Sequence, residues 1–362
     1  MMKEAAKIKT ALARRLLDWY DRERRPLPWR ETADPYRIWV SEIMLQQTRV
    51  DTVIPYYRRF LEAFPTVRDL ATAPLQDVLK VWENLGYYSR ARNLHTAAGM
   101  VVLNFSGRIP DTPEHLKTLP GIGDYVAGAI LSIAYGHAVP AVDGNVRRIV
   151  ARLFAFAAPI DQPQTMGRLR EAAAILVPRR RPGDFNQALM DLGATICRAK
   201  DAHCTRCPVS RHCRTRAEGL QTTIPQTTKR QPVPRREEAA AIIHNRDGRL
   251  LMIQRPAKGL LGALWTFPGG FLQESGNEEE ELREIIQYEL GLRVRVGGRL
   301  ATVQHAYTHF RTTIHAYDCR LIRETTASVT GPNRRWVPLA ELPALPLAKV
   351  DRMIARMVLG RP

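Results

Sequence analysis

Four cysteines, Cys197, Cys204, Cys207 and Cys213, follow the pattern C-x6-C-x2-C-x5-C in a basic stretch that includes Arg198, Lys200, Arg206 and Arg211; Cys319 is the only other cysteine. Disulfide frameworks belong to small, cysteine-dense secreted domains, so thiols this scarce elsewhere and this clustered here point to a metal centre. Structural zinc sites usually pair two C-x2-C knuckles, of which this loop has one. Four thiolates serve equally well as ligands of an iron–sulfur cluster. The spacing alone leaves both open.

Two carboxylates offer a second chemistry. Glu42 lies in WVSEIMLQQTRV, an apolar helix start where an acid is unexpected. Apolar neighbours raise a carboxyl pKa, and a raised pKa makes a proton donor near neutral pH. Asp143, in VPAVDGNVRRIVARLF, follows Tyr125 by eighteen residues. A second carboxylate, better solvated and kept ionised, stabilises a developing cation. Hydrolysis of a glycosidic bond through an oxocarbenium-like state uses such a split pair. Taken singly, a helical Glu is usually solvated and an Asp-Gly-Asn run is usually a turn, so the pair gains meaning only from its surroundings. One neighbour is HLKTLPGIGDYVAGAILS, His115–Ser132, which reads helix, tight turn, helix. Gly121-Ile122-Gly123 lets the turn close and brings bare backbone N–H groups to a helix N-terminus, where a phosphate can approach. This is the helix–hairpin–helix pattern of sequence-independent DNA binding.

Elements must position these groups. Residues 1–216 read as mostly helical, with apolar residues at three- and four-residue spacing in Pro74–Leu85 and Arg90–Leu103 and Pro or Gly between segments. The hairpin occupies about 112–132 and the cysteine loop 197–213. Residues 217–236 form a polar, Pro-rich run with the signature of a linker. From 237 to 362 the texture changes to short β-rich strings, AAAIIHN, RLLMIQR, VRVGGRLATVQHAY and RTTIHAYDCRLI, with one helical segment, EEELREIIQYELG. The expected fold class is therefore an all-α domain followed by a smaller α/β domain. The net charge of +18 and pI near 10.1 favour a polyanionic partner, most simply nucleic acid. No apolar run approaches the length of a transmembrane span, and Met1–Tyr20 lacks a signal peptide's apolar core. The expectation is a cytoplasmic protein, without a membrane partner.

SEIMLQQT, ENLGYYSRARNL, LPGIGDYVAGAILS, AVDGNVRRI, FNQALMDLGATIC and the cysteine loop, in this order, resemble the endonuclease III superfamily of DNA glycosylases, and within it adenine DNA glycosylases of the MutY type. The resemblance covers nearly the whole chain. It implies a [4Fe–4S] cluster on Cys197, Cys204, Cys207 and Cys213 rather than zinc. It further implies a base-excision-repair enzyme that removes adenine opposite 8-oxoguanine or guanine in double-stranded DNA, as a bacterial, nucleoid-associated monomer. Carried over by position, Glu42 protonates N7 of the flipped adenine and later assists water. Asp143 stabilises the sugar cation or traps it covalently, with Tyr125 and Asn145 holding both in place. Trp29, Arg30, Leu45 and Gln187 surround adenine, and Gln47 and Tyr87 wedge into the duplex. Ordinary core packing is the competing reading for Trp29, Leu45 and Tyr87.

Bifunctional relatives carry a Schiff-base lysine where this chain has Tyr125, which offers no amine to the sugar. The resemblance is therefore to a predominantly monofunctional hydrolase. The C-terminal domain resembles a Nudix fold through WTFPGGFLQE and EIIQYELGL. Aligned on Leu290-Gly291-Leu292, Glu284, Ile285 and Tyr288 stand where Arg, Glu and Glu belong, and only Glu289 remains, which argues against magnesium-dependent phosphohydrolysis. MutY-type enzymes read 8-oxoguanine through Phe-Ser-His. The matching run here is Tyr307-Thr308-His309, where Thr308 keeps a hydroxyl able to donate and accept.

Overall fold

The computed structural model describes residues 1–228, 232–273, 276–322 and 331–360, and the fold class is the expected one. Twelve helices come first: α1 (Met2–Glu23), α2 (Pro35–Leu45), α3 (Val50–Ala63), α4 (Val67–Thr72), α5 (Leu75–Val81), α6 (Ser89–Phe105), α7 (Pro113–Lys117), α8 (Asp124–Ile133), α9 (Gly144–Leu153), α10 (Pro163–Leu176), α11 (Pro182–Thr195) and α12 (Arg214–Ala217). Strands β1 (Arg235–His244), β2 (Leu250–Gln254), β3 (Trp265–Thr266) and β4 (Gly269–Phe271) follow. They precede α13 (Glu278–Leu290), β5 (Val294–Ala306), β6 (Arg311–Leu321), β7 (Arg334–Val337) and α14 (Lys349–Leu359).

The chain packs as two compact units. One holds residues 1–72 and 93–230, the other residues 73–92 and 231–362. This differs from the sequential division at residue 216. Residues 73–92 sit with the second unit because their side chains bond to it: Gln76 accepts from Trp265 Nε1 and donates to the Ala263 carbonyl, both at 3.0 Å. Within the same unit, Glu83 pairs with Arg352 at 2.5 Å and Arg92 donates to the Gly262 carbonyl at 2.9 Å. The expected linker is also shorter than its composition suggests. Ile224 is buried in the core of the first unit, and Thr228 donates to Asp161. Residues 229–231 of that linker lie outside the described residues.

In the first unit, α1 packs on α10 and α11, and its Leu12, Leu16 and Tyr20 share one buried cluster with Val150 of α9, Leu169 of α10 and Phe185 of α11. Helix α2 starts where Asp34 accepts from the Tyr36 and Arg37 amides with Pro35 in the first turn, and residues 36–44, apart from Arg37, are buried. A helix apolar all round is an interior helix, and an acid on it is forced inside. Helix α8 starts at Gly123. Gly121 has φ +84° and lies 3.1 Å, measured from an ideal Cβ, from Asn93 Cβ, so the hairpin turn requires glycine.

In the second unit the sheet runs β3-β2-β1-β6-β5, with β4 also pairing β1 and β7 pairing β2. Strands β1 and β6 are parallel, whereas β5 and β6 form an antiparallel hairpin. Helix α13 covers one face, packing Leu282, Ile286 and Leu290 on Ala239, Ala241, Tyr317 and Cys319.

Candidate active site

Glu42 is 4% exposed on the last turn of α2, and Tyr125, from the first turn of α8, donates its hydroxyl to Glu42 Oε2. Burial raises the Glu42 carboxyl to about 7, and the charge of Asp143 pushes the same way. The Tyr125 hydroxyl and the Arg30 guanidinium oppose it but do not cancel it. Asp143 is the N-cap of α9. Its Oδ1 accepts from the Val146 amide at 2.7 Å, while Asn145 Nδ2 donates to Oδ2 at 2.9 Å. The sequence suggested a well-solvated second acid, yet Asp143 is half-buried and its carboxyl is also raised, by burial, against the pull of those donors. Tyr125 is raised well above its ordinary value by burial and the two acids beside it, so it stays a neutral donor.

All four groups line one cavity of about 630 Å³, within the range that holds small molecules. Trp29, Arg30, Leu45 and Gln187 line it too. Trp29 is buried, edge-on to Tyr57 at 5.5 Å between ring centroids, so it is both core and cavity wall. Helix α11 supplies Gln187 and comes so close to α9 that a Cβ on Gly193 would meet Asn145 Cβ at 2.5 Å. That contact keeps Asn145 in place beneath Asp143. An acid poised near neutrality and a second carboxylate on the wall of one roomy cavity suit proton-assisted cleavage of an N-glycosidic bond.

Comparison with known proteins agrees with this chemistry. Residues 40–206 match the family described as HhH-GPD superfamily base excision DNA repair protein, and residues 239–357 match the NUDIX domain. An adenine DNA glycosylase of Rattus norvegicus is 37% identical over 92% of this chain and 75% of its own length. One of Homo sapiens is 34% identical over all of this chain and 76% of its own. The chain belongs to the adenine DNA glycosylase family. It is thus a base-excision-repair enzyme that hydrolyses N-glycosidic bonds in DNA. A thermostable thymine-DNA glycosylase structure superposes with a TM-score of 0.54 at 30% identity, covering 59% of this chain and 98% of that one. An endonuclease III–DNA complex gives 0.51 at 21% identity over 60% of this chain and 98% of its own, a likeness of fold.

The cysteine loop of this family member gathers four thiols in one place. Cys197, Cys204, Cys207 and Cys213 line one small gap with Arg152 and Thr215. Among the described residues, no three of their sulfurs lie within 4.8 Å of one another. Burial pushes Cys207 up to about 12 and raises Cys213, so without a cationic centre these thiols hold their protons. Arg152, buried beneath the loop, donates to Cys197 Sγ at 3.3 Å and to the carbonyls of Arg198, Ala199, Gln221 and Ile224. Arg148 donates to the Cys197 and Gly193 carbonyls and to Asn145 Oδ1 at 2.7 Å, so one side chain touches both the loop and the support of Asp143.

The remaining sequence-predicted residues fall in two places. Gln47, exposed, borders the first unit's cavity, while Tyr87, 41% exposed, belongs to the second unit. Both hold positive φ, +58° and +48°, a left-handed backbone rare for such side chains and often found where a residue is presented to a ligand. Tyr307-Thr308-His309 forms the tip of the β5–β6 hairpin, closed by the Tyr307 amide on the Phe310 carbonyl at 2.8 Å. Tyr307 is wedged between His305 and Phe310, whereas Thr308 and His309 are exposed. The hydroxyls of Tyr87 and Thr308 are hydrogen-bonded at 2.8 Å, joining two residues 221 positions apart.

In the degraded Nudix box Ile285 packs on Gly270, Tyr288 is 89% exposed, and Glu284 and Glu289 face solvent. Glu237, Glu278 and His315 do approach within 4.8 Å, but Arg299 and Tyr317 already claim Glu278. Sequence reasoning passed over Asp191, which is wholly buried beside the cavity. Its signal was the one that exposed Glu42, an acid inside an apolar helix, FNQALMDLGATIC.

Proposed function

We propose that this enzyme removes adenine mispaired with 8-oxoguanine or guanine in double-stranded DNA, as a monomer in a bacterial cytoplasm. The observation that carries the reading is the Glu42–Tyr125–Asp143–Asn145 group lining one cavity large enough to admit a base. Adenine swings out of the stack into the cavity. Glu42, protonated, donates to N7; the C1′–N9 bond breaks with its electron pair leaving on the base. Asp143 meets the cationic sugar, by charge or by a transient bond. Ionised Glu42 then takes a proton from the water that adds at C1′, which regenerates the acid. Tyr125 and Asn145 hold the two acids. With Tyr125 in the hairpin no amine attacks C1′, and the strand is left intact.

The four cysteines would hold a [4Fe–4S] cluster whose part is to fix the basic loop, because the hydrolysis transfers no electrons. The protein should be isolated yellow-brown with about four irons, and Cys204→Ser should lower iron content, soluble yield and DNA affinity together. A colourless, fully active, zinc-loaded protein would sink this assignment.

Lesion reading falls to Thr308 and His309, with Tyr87 and Gln47 as wedges. If so, Thr308→Ala with His309→Ala weakens binding to 8-oxoguanine duplexes. Net hydrogen bonds are worth about 0.5–1.5 kcal/mol each, so the loss is roughly tenfold. Release opposite plain guanine changes much less. Single-turnover rates and affinities on the two duplexes, measured side by side, test this, and equal losses on both would remove the hairpin tip from recognition. Incubating the wild-type enzyme with duplexes that differ only in the mispair, and identifying the released base, tests the reading as a whole.

A further inference from the structure

We propose that Asp191 is a positioning residue for base release: it holds the Arg30 guanidinium on the cavity wall and off the Glu42 carboxylate. The proposal rests on the assignment of Glu42 as the proton donor. Asp191 projects from α11 and is 0% exposed. Arg30, in the short 3₁₀ turn Pro28–Arg30, grips both its oxygens, with Nη1 on Oδ2 and Nη2 on Oδ1, the latter at 2.7 Å. Arg25 donates its Nε to Oδ1 at 2.6 Å, and the Arg25 carbonyl accepts from Arg30 Nη1 at 3.3 Å. The Tyr20 ring lies 5.5 Å from the Arg30 guanidinium carbon. Arg30 is thereby fixed at one end by two oxygens, a carbonyl and an aromatic face, while its buried Nε has no partner among the described residues.

The reason for so costly an arrangement is the neighbour. Arg30 lines the same cavity as Glu42, and its charge lowers the Glu42 carboxyl. A free guanidinium prefers a two-pronged pair with a carboxylate, and Glu42 is the acid it would find. Such a pair holds a carboxyl ionised and empties it of the proton that base release needs. Asp191 supplies a carboxylate from α11 that takes both prongs instead. The groups facing Glu42 are Tyr125 from α8, Asp143 from the start of α9 and Arg30; Arg25, Arg147 and Arg148 are the other cations on the cavity wall. The groups on Asp191 are Arg25 and Arg30, with Tyr20 close by.

The test reads Glu42 directly, by the pH midpoint of its protonated-carboxyl infrared band, taken as the difference from a Glu42→Gln blank in each background. In Asp191→Asn the midpoint should fall by roughly one pH unit. Release rates should drop about fivefold at pH 7, as the protonated fraction falls from about one half to about one tenth, with the alkaline limb of the rate profile moving to lower pH. Adding Arg30→Gln to Asp191→Asn should restore the midpoint, because the freed charge has gone. Arg30→Lys keeps the charge without the two-pronged grip and should lower the midpoint in the same direction, which keeps the test decisive if Asp191→Asn does not fold. A structural role alone would lower the melting temperature and leave the midpoint where it is. An unmoved midpoint in Asp191→Asn and in Arg30→Lys, or no restoration in the double variant, overturns the proposal. If the midpoints shift as described but the wild-type enzyme releases no adenine, the proposed reaction falls while the Asp191–Arg30–Glu42 coupling stands.

Discussion

Glu42→Gln should bind mispaired duplex as the wild type does and release adenine at least 10²–10⁴-fold more slowly, the usual contribution of a general acid. Gln is nearly isosteric and can still accept from Tyr125, so the cavity should keep its shape; what it lacks is the proton. The pH dependence has a definite sign. With Glu42 at about 7, the donor form predominates below that pH, and release should fall as pH rises through 7. The same burial makes Glu42 a liability for stability. Its folded pKa, about 7, exceeds its ordinary value, 4.5, so between those two values the unfolded chain sheds the proton first and stability falls with rising pH. At pH 8 the Gln variant should therefore be the more stable protein, by up to about 3 kcal/mol, and the gap should close towards pH 4. Chemical denaturation at the two pH values checks this, alongside single-turnover release. A variant within tenfold of wild type would remove Glu42 from the role of acid.

Asp143→Asn separates charge from architecture at the second acid. Asparagine caps helices as well as aspartate does, so the acceptor for the Val146 amide is kept and α9 should start where it does now. The negative charge beside the sugar is lost, and removal of one preorganised electrostatic contact typically costs about 10²–10³ in rate. The expected result is a folded, DNA-binding protein with release slowed by at least that factor. Asp143→Ala should lose the same activity and, in addition, about 1 kcal/mol of stability with the cap. If Asn keeps both its rate and its stability while Ala loses stability alone, Asp143 serves only to start the helix.

Much of this site was legible along the chain, because its chemistry is carried by side chains out of place in their local pattern. Glu42 inside an apolar helix announces burial, and burial alone raises its pKa. Asp143 before Gly-Asn-Val reads as a helix start, and four cysteines in seventeen residues read as one centre. The hairpin glycines speak for a turn that only they can make. The long strings of the second unit, such as RTTIHAYDCRLI, became β6 and its neighbours because their β-branched and aromatic composition is a local property. The short strands β3, β4 and β7 carry too few residues to show a period, and their pairing comes from the sheet around them.

What the chain by itself determined, then, is each group whose role follows from its immediate neighbours: the acids, the thiols, the hairpin and the two fold classes. What only the tertiary structure decided are the relations between distant segments. Residues 73–92 read as part of the helical domain, yet they pack with the second unit because Gln76, Glu83 and Arg92 find their partners there. Tyr87 meets Thr308 across 221 positions. Asp191 claims Arg30 across 161. Local sequence sets propensity and burial pattern, over a few residues at a time. Which donor meets which acceptor is settled when helices and strands pack and each buried charge must find a partner, a constraint that acts through space rather than along the chain.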